Sequence, residues 1–200
     1  FQGSFFEGKS QDVSLIDISP QQIFGISASL IPFLGHDDAN RALMGTQMQC
    51  QAVPLLKPAS PIVGTGMEKV VAENMGRVVR APFDGQISYV DGEKLIFKVN
   101  RNEHKFEIKK FIHSPQGTCY SQKAVVLPGQ KVKKGELMID GAACENGELA
   151  LGQNLLIAYM SFEGLGYEDA IVISDRLVKE DLLTSIHIEE YEVDVVETKL

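Results

Sequence analysis

The chain has 200 residues, of which 44% are hydrophobic, and a formal net charge of −8 at pH 7. A chain of this length and hydrophobicity can bury a sizeable core, in one large or two small domains. The negative charge argues against a protein that binds nucleic acid through a broad basic surface, so we expect any such contact to be local or shared with other chains.

The cysteines and histidines suggest no metal or disulfide site. The 3 cysteines, Cys50, Cys119 and Cys144, lie far apart, which fits neither a disulfide framework nor a zinc site and favours a reducing cytoplasm. The 4 histidines show no ligand spacing, so we expect no metal ligand among them. No apolar run approaches the roughly 18 residues of a transmembrane helix and no signal-peptide pattern is present, so we expect no membrane partner.

Both ends of the chain read as cut ends. Residues 1–4, FQGS, have the sequence of a remnant left by a protease-cleaved expression tag. Residues 193–200 stop within a strand-like alternation that no turn signal closes. We therefore expect the sequence to be a piece of a longer protein.

The first part of the chain predicts helices. Residues 19–31 favour a short helix, because Ser19 can cap it and Pro20 suits its first position. Proline and glycine end this helix before a second one begins. After the second helix, the prolines and glycines of residues 54–66 indicate a crossing loop.

The second helix, expected over residues 39–51, carries more polar chemistry than any other segment. Asp37 or Asp38 can accept hydrogen bonds from its first N–H groups. At about 100° per residue, Arg41 and Gln51 fall within one narrow arc together with two methionines, which gives a cationic and amide-rich face. The alternative is an ordinary surface helix whose arginine pairs with one of the preceding aspartates.

Residues 77–149 predict short antiparallel strands, because apolar and polar residues alternate between turn signals. The charged residues of 94–110 are interpreted as a solvated strand face. Tight turns are expected at Asp84 and Gly85, Asp91 and Gly92, Pro128 and Gly129, and Lys134 and Gly135. The expected fold class is mainly β with a few α-helices (α+β), built as small barrel-like or barrel-sandwich modules around the central helix.

The last part of the chain predicts two buried strands that enclose a glycine-bearing loop. Glu168 and Asp169 lie on this loop, where two adjacent carboxylates can face a metal–triphosphate complex; solvation and turn capping are the alternative role. The elements expected here are strands over residues 149–160 and 171–174, a helix over 175–183 and a strand over 184–195.

Five blocks of sequence within residues 18–200 are distinctive: HDDANRALMG, MQ.QAVPLL, VGTGME, GELALGQN and EGLGYEDAIVIS. In wording and in order they resemble the β subunit family of multisubunit bacterial RNA polymerase. Because several long motifs agree independently, the resemblance is specific. It implies that the chain helps form the active center of a DNA-directed RNA polymerase, a nucleotidyltransferase that extends RNA from nucleoside triphosphates with two metal ions.

The resemblance also implies a set of partners. They are the β′, α and sigma subunits, template DNA, nascent RNA and nucleoside triphosphates, with Mg²⁺ as the cofactor. The primary Mg²⁺ is implied to be held by three aspartates of β′, so we expect this chain alone to be inactive. The implied location is the bacterial cytoplasm, with an organellar origin left open.

A division of the chain follows from the same motifs. After the tag remnant at 1–4, residues 5–75 are expected to form a helical segment with a crossing loop in the catalytic-core region. Residues 76–146 are expected to form an inserted small β-barrel-like module, and residues 147–200 to return to the catalytic core.

Residue roles are carried over only to positions that match the family's motifs. The implied contacts are Arg41 and Met44 with the substrate nucleotide, Gln51 with the RNA end, and Glu168 and Asp169 indirectly with the second metal. Cys50 occupies a position linked to the rifamycin pocket, where the family usually has arginine, so the long cation is missing at this position. No residue of this chain is implied to bind a metal directly.

Two other functions remain open. The segments APFDGQI and PGQKVKKGELM resemble biotinyl and lipoyl carrier domains, which carry a modified lysine on an exposed hairpin tip. Lys94 is the nearest candidate for such a lysine, although the usual flanking residues are missing. The third reading is a purely structural assembly module.

Overall fold

The computed structural model describes residues 7–16, 18 and 23–197. The expected tag remnant at residues 1–4 and the helix start at Ser19 and Pro20 lie outside the described residues. The helices are α1 (Ile26–Ser29), α2 (Ala39–Cys50), α3 (Met67–Asn74) and α4 (Asp175–Lys179), with 3₁₀ turns at Ser10–Asp12 and Leu34–His36. Within these ranges, every helix is too short or too polar to cross a bilayer.

The strands pair into small antiparallel sheets. They are β1 (Val79–Arg80), β2 (Gly85–Val90), β3 (Lys94–Val99), β4 (Asn102–Glu107), β5 (Ile112–His113), β6 (Cys119–Tyr120), β7 (Lys123–Ala124), β8 (Lys131–Val132), β9 (Leu137–Asp140), β10 (Cys144–Glu145) and β11 (Glu148–Leu149). The sheet orders are β4-β3-β2-β8, β1-β9-β7, β5-β6 and β10-β11. This arrangement confirms the mainly β, α+β fold class.

The hydrophobic core is formed by the two larger sheets. Its fully buried side chains are Ile87, Leu95, Phe97, Met138 and Ile139. Ile87 in β2 and Leu95 and Phe97 in β3 alternate with less buried residues, as expected for a sheet with one buried face, whereas Met138 and Ile139 are consecutive buried residues of β9. Burying one such side chain contributes roughly 1.5–3 kcal/mol. Helix α2 has no buried residue, so the core lies in the sheets and the helix lies outside it.

Most of the expected turns are confirmed. Asp91 joins β2 to β3, with its Oδ1 accepting hydrogen bonds from the N–H groups of Glu93 (2.8 Å) and Lys94 (2.7 Å). Gly129 and Gly135 adopt positive φ values of 83° and 85°, which turns of this kind require.

The expected hairpin at Asp84 and Gly85 is not formed. Strand β1 pairs with β9 instead of β2, and the Asp84 carboxylate accepts a 2.7 Å hydrogen bond from the N–H of Lys134. The hydrogen bond from Lys134 therefore joins the turn at Asp84 to a second turn that is distant in sequence. Strand β1 pairs with β9 because the buried β9 gives it a partner in the core.

The charged segment 94–110 forms a solvated strand face, as expected. One exposed ion pair, at 3.7 Å, joins Lys98 of β3 to Glu103 of β4. A second, also at 3.7 Å, joins Lys105 to Glu107 along β4. Such exposed pairs contribute about 0–1 kcal/mol each.

Helix α3 was not expected from the sequence. It follows the VGTGME turn, where the buried carboxylate of Glu68 accepts hydrogen bonds from the N–H groups of Thr65 (2.9 Å) and Gly66 (2.8 Å). Burial by itself raises the pKa of Glu68, but hydrogen bonds from backbone N–H groups and from the Thr65 hydroxyl more than offset this, so the pKa lies below its usual range. The carboxylate therefore holds the turn and the helix start together.

We expect Glu68→Gln to lower the free energy of unfolding by about 1–2 kcal/mol near neutral pH, because one charged acceptor is replaced by an amide oxygen. Since the folded-state pKa of Glu68 is lowered, its contribution is present above the unfolded pKa of about 4.3 and is lost as the pH falls through the folded value. The difference in unfolding free energy should therefore shrink in acid. Urea unfolding of both proteins at neutral and acid pH measures this, and a difference that does not change with pH would contradict it.

The expected strands of the last part are not formed among the described residues. Residues 151–174 and 184–197 are mostly extended, but their bridges are isolated: Ala59 with Gly152, Leu55 with Ser185, and Thr118 with His187. A strand needs a neighbour for its N–H and C=O groups, and these segments have few neighbours within the described chain. Their apolar side chains are accordingly exposed, including those of Leu156, Tyr159, Ile171 and Val195.

Helix α4 is shorter than the expected helix over residues 175–183. It spans Asp175–Lys179, and the Ser174 hydroxyl caps it by accepting a hydrogen bond from the N–H of Arg176. Asp181, with a φ of 56°, lies in the left-handed region and ends the helical geometry.

Candidate functional site

Helix α2 forms where its cap and periodicity predicted it. The Asp38 side chain accepts a 3.1 Å hydrogen bond from the N–H of Asn40, which satisfies one of the free donors of the first turn. The helix then runs to Cys50, one residue short of the expected end. Ile31 lies beside it, so that a Cβ at Gly45 would be 3.7 Å from the Ile31 Cδ1. This contact sets the helix against the turn that precedes it.

The Arg41 side chain is exposed on this helix. Its Nη1 donates a 3.6 Å hydrogen bond to the Sδ of Met44, one turn further along. Within the described residues, Arg41 forms no salt bridge with Asp37 or Asp38, so the surface ion pair of the alternative interpretation is not formed. Most donors of the guanidinium therefore face open space.

Cys50 and Gln51 lie together at the carboxyl end of α2. Gln51 is the C-cap residue, and its N–H donates a 3.1 Å hydrogen bond to the carbonyl oxygen of Met48. Cys50 is an exposed free thiol. The structure thus brings the residues expected to contact nucleotide and RNA onto one helix.

Glu168 and Asp169 are exposed on a loop with two tight turns. One turn is closed by the N–H of Leu165 on Phe162 (2.9 Å) and the other by the N–H of Ala170 on Tyr167 (3.2 Å). The left-handed φ of Glu168, 56°, is uncommon for a residue other than glycine. The two carboxylates therefore project from a bent segment into solvent.

The two carboxylates of this loop suit a cation that is also bound by groups outside the loop. Carboxylate oxygens are ligands that Mg²⁺ accepts, usually one or two of them together with waters and substrate phosphates. In the part of the chain that the structure describes, no group of three or more His, Cys, Asp or Glu residues could hold a metal ion. Glu168 and Asp169 therefore suit a metal ion that they contact through water or share with other ligands better than a metal ion enclosed by this chain alone.

The crossing loop expected over residues 54–66 connects these two regions through contacts that the sequence did not predict. Residues 55–62, which we call the strap, follow α2 after residues 51–54. The strap N–H groups of Leu56 and Ala59 donate to the carbonyl oxygens of Thr184 (2.8 Å) and Gly152 (2.9 Å). The strap therefore contacts the chain on both sides of the loop that carries the acidic pair. The sequence signal was the GQN of the GELALGQN block, whose two amides contact the strap.

A cleft of about 570 Å³ lies beside the strap, but it contains none of the expected site residues. Burial, together with the nearby Asp140 charge, raises the pKa of the Cys144 thiol in this cleft to about 11. A thiol with so high a pKa stays protonated at neutral pH and is a poor nucleophile. Cys144 therefore does not supply a reactive nucleophile to this cleft.

Comparison with known families identifies the chain. Residues 80–200 match the model of the family described as RNA polymerase Rpb2, domain 6. The chain belongs to this family. The RNA polymerase Rpb2 domain 6 match includes the acidic loop, and helix α2 lies before its first matched residue.

Similarity to bacterial relatives covers the whole chain, including helix α2, which lies before the residues that the RNA polymerase Rpb2 domain 6 model matches. The DNA-directed RNA polymerase subunit beta of Prochlorococcus marinus (strain MIT 9515) is 49% identical over 201 residues, which cover 100% of this chain and 18% of that protein. The subunit of the same name from Syntrophus aciditrophicus (strain SB) is 48% identical over 206 residues, covering 99% of this chain and 15% of that protein. The chain thus spans at most 18% of the length of these two curated relatives.

Membership of the RNA polymerase Rpb2 domain 6 family confirms the expected family and argues against the carrier domain. The geometry of the candidate lysine agrees. Lys94 begins strand β3 and holds its ammonium 5.3 Å from the center of the Tyr89 ring, so it is engaged on the sheet instead of projecting from a hairpin tip.

Proposed function

We propose that this chain forms part of the active center of a DNA-directed RNA polymerase. Helix α2 presents Arg41 and Met44 to the incoming nucleoside triphosphate and Gln51 to the RNA end. The observation that carries this proposal is the exposed guanidinium of Arg41, which no carboxylate neutralises within the described residues. A planar fork of donors in this state suits phosphate oxygens. Cys50, beside Gln51, belongs to the surface that corresponds to the rifamycin pocket.

The proposed reaction is nucleotidyl transfer. The RNA 3′-oxygen attacks the α-phosphate of the nucleoside triphosphate, a new phosphodiester bond forms and pyrophosphate leaves. Bound Mg²⁺ would stabilise the charge of the phosphates, with its primary ligands on the β′ subunit. Arg41 orients the triphosphate, while Glu168 and Asp169 act indirectly, by holding water and shaping the field near the second metal.

The remaining partners are proposed from the exposed surface. Residues of the last segment expose large apolar side chains, including Leu156 at 104% and Tyr159 at 96% of their reference areas. The exposure of many large apolar side chains in one segment is typical of interaction surfaces. We assign this surface to contacts with the rest of the subunit and with β′. The α and sigma subunits, template DNA and nascent RNA belong to the same proposed assembly, and its proposed location is the bacterial cytoplasm.

The proposed division of the chain follows the sequence motifs. Residues 76–146 form the inserted module within the core regions 5–75 and 147–200.

The acidic pair can be tested in the assembled enzyme. We expect the double variant Glu168→Gln, Asp169→Asn to raise the Mg²⁺ concentration needed for half-maximal RNA extension by about 3- to 10-fold, because an electrostatic partner of the metal–triphosphate complex is lost. The matched control neutralises another exposed adjacent pair, Glu189→Gln with Glu190→Gln, and should leave the Mg²⁺ titration unchanged. An unchanged titration in the first variant would favour a solvated loop without a role in catalysis.

The division of roles between subunits predicts that the 200-residue chain is inactive alone. We expect no template-dependent nucleotide incorporation with Mg²⁺, because the ligands of the primary metal are assigned to another subunit. A primer-extension assay on an RNA–DNA scaffold measures this, with the assembled enzyme as the positive control. Incorporation by the purified chain would contradict the assignment and would require a complete metal site within it.

A further inference from the structure

The side chain of Asn154 imitates a piece of β-strand. Its Nδ2 donates a 2.7 Å hydrogen bond to the carbonyl oxygen of Ser60, and its Oδ1 accepts a 3.3 Å hydrogen bond from the N–H of Ile62. One planar amide thus satisfies a carbonyl and an N–H on the same strap, as a neighbouring strand would. Because the amide is planar and makes two hydrogen bonds, it fixes the alignment of Asn154 along the strap, which a single hydrogen bond would not do.

Neighbouring contacts extend this pairing along the strap. The Nε2 of Gln153 donates to the carbonyl oxygen of Lys57, and the N–H of Ala59 donates to Gly152 at 2.9 Å. Residues 152–154 therefore pair with the strap through a backbone hydrogen bond at Gly152 and side-chain hydrogen bonds of Gln153 and Asn154. Near the carboxyl end of the strap, Ser60 donates from its N–H to the Glu145 carboxylate at 2.5 Å, which adds a further tie to β10.

The strap is held from the other side as well. The Lys57 Nζ donates a 2.9 Å hydrogen bond to the carbonyl oxygen of Glu180, the C-cap residue of α4. Residues 155–179, which we call the excursion, carry the acidic pair, and the residues that flank them at both ends are thus attached to the strap. Only residues 51–54 separate the strap from the end of α2, so the strap links the helix along the chain to the residues that flank the excursion.

We propose that Asn154 is a positioning residue that holds the excursion with Glu168 and Asp169 in register with helix α2. This inference rests on the proposed function, because it gives the attachment a role in placing two parts of one active center. The amide is exposed, so its two bonds contribute little to stability, and its effect lies in geometry. Misplacement of a catalytic group by about 1 Å can cost about 100-fold in rate.

The test uses the assembled enzyme with Asn154→Ala and, as a matched control, the same change at the exposed Asn102 of β4. Asn154→Ala should lower kcat for RNA extension by about 10-fold or more with a smaller change in KM, while the melting temperature and subunit assembly stay as in the parent. Hydrogen exchange of peptides covering residues 57–66, followed by mass spectrometry, should accelerate, since the Ile62 N–H loses its acceptor. Asn102→Ala should change none of these quantities.

A double-mutant cycle separates positioning from structure. In the background of the double amide variant of Glu168 and Asp169, Asn154→Ala should cost less than about 3-fold, because its effect acts through those carboxylates. Equal costs in both backgrounds, or unchanged exchange at residues 57–66 in Asn154→Ala, would overturn the proposal. If the double amide variant alone had no kinetic effect, the proposed function of the acidic pair would fail, while the exchange measurement would still decide whether Asn154 holds the strap.

Discussion

Arg41→Ala in the assembled polymerase should lower kcat/KM for nucleoside triphosphates by about 10- to 150-fold. A desolvated hydrogen bond between a guanidinium and a phosphate is worth roughly 1.5–3 kcal/mol, and each 1.36 kcal/mol corresponds to about a factor of ten. Arg41→Lys should recover only part of this loss, because an ammonium cannot form the planar two-bond contact. Steady-state extension kinetics on a preassembled RNA–DNA scaffold measure the effect.

The matched control for this experiment is Arg101→Ala, which removes an exposed arginine from the turn between β3 and β4. It should leave nucleotide kinetics unchanged. DNA binding, subunit assembly and the melting temperature should be spared in both variants, since Arg41 makes no salt bridge within the described residues. Normal nucleotide kinetics in Arg41→Ala would end the assignment of α2 to the active center and would favour a purely structural assembly module.

Gly85→Ala should destabilise the chain strongly, because the added methyl group would enter the packed core at the start of β2. A Cβ at this position would lie 2.5 Å from the carbonyl oxygen of Lys98 and 2.7 Å from the Cζ of Phe97, and the Phe97 ring is fully buried. Neither the backbone of β3 nor the ring can move without opening the core. We expect a loss of about 3 kcal/mol in the free energy of unfolding and a melting temperature lower by about 6–12 °C.

The control for this substitution is Gly92→Ala in the turn between β2 and β3. A Cβ there would meet no atom within 4 Å, and the change should shift the melting temperature by less than about 2 °C. Thermal unfolding of both variants of the 200-residue chain, followed by circular dichroism, gives the comparison. Equal melting temperatures for the two variants would show that β3 yields to the added methyl, contrary to the rigid packing of the core.

Local signals predicted the elements that depend on neighbouring residues. Helix α2 was predicted almost to the residue, because the Asp38 cap and the helical periodicity both lie within a few positions. The turns at Gly129 and Gly135 were predicted for the same reason, since each depends on a proline–glycine or lysine–glycine pair. Helix α3 was missed, because the Glu68 carboxylate that organises its start also closes the preceding turn, and the motif was interpreted as a turn alone.

Elements that need a distant partner could not be predicted from the sequence. The strands expected over residues 149–160, 171–174 and 184–195 have suitable alternation, but a strand forms only where another strand supplies hydrogen bonds. Among the described residues these segments find isolated bridges. The roles of Met44, Gln51 and Cys50 stay predictions, since the structure places them on one helix but does not test a contact with nucleotide, RNA or drug.

The sequence by itself determined the family, the cap and the face of α2, and the adjacency of the two carboxylates, because these depend on residue identity and short-range spacing. Only the tertiary structure decided that β1 pairs with β9 and that the strap, which follows α2 in the chain, holds the residues at both ends of the excursion. The bond between Asn154 and Ser60 joins residues 94 positions apart. No local pattern encodes such a pairing, because its free energy depends on closing a long loop and on the fit of two surfaces that exist only in the folded chain.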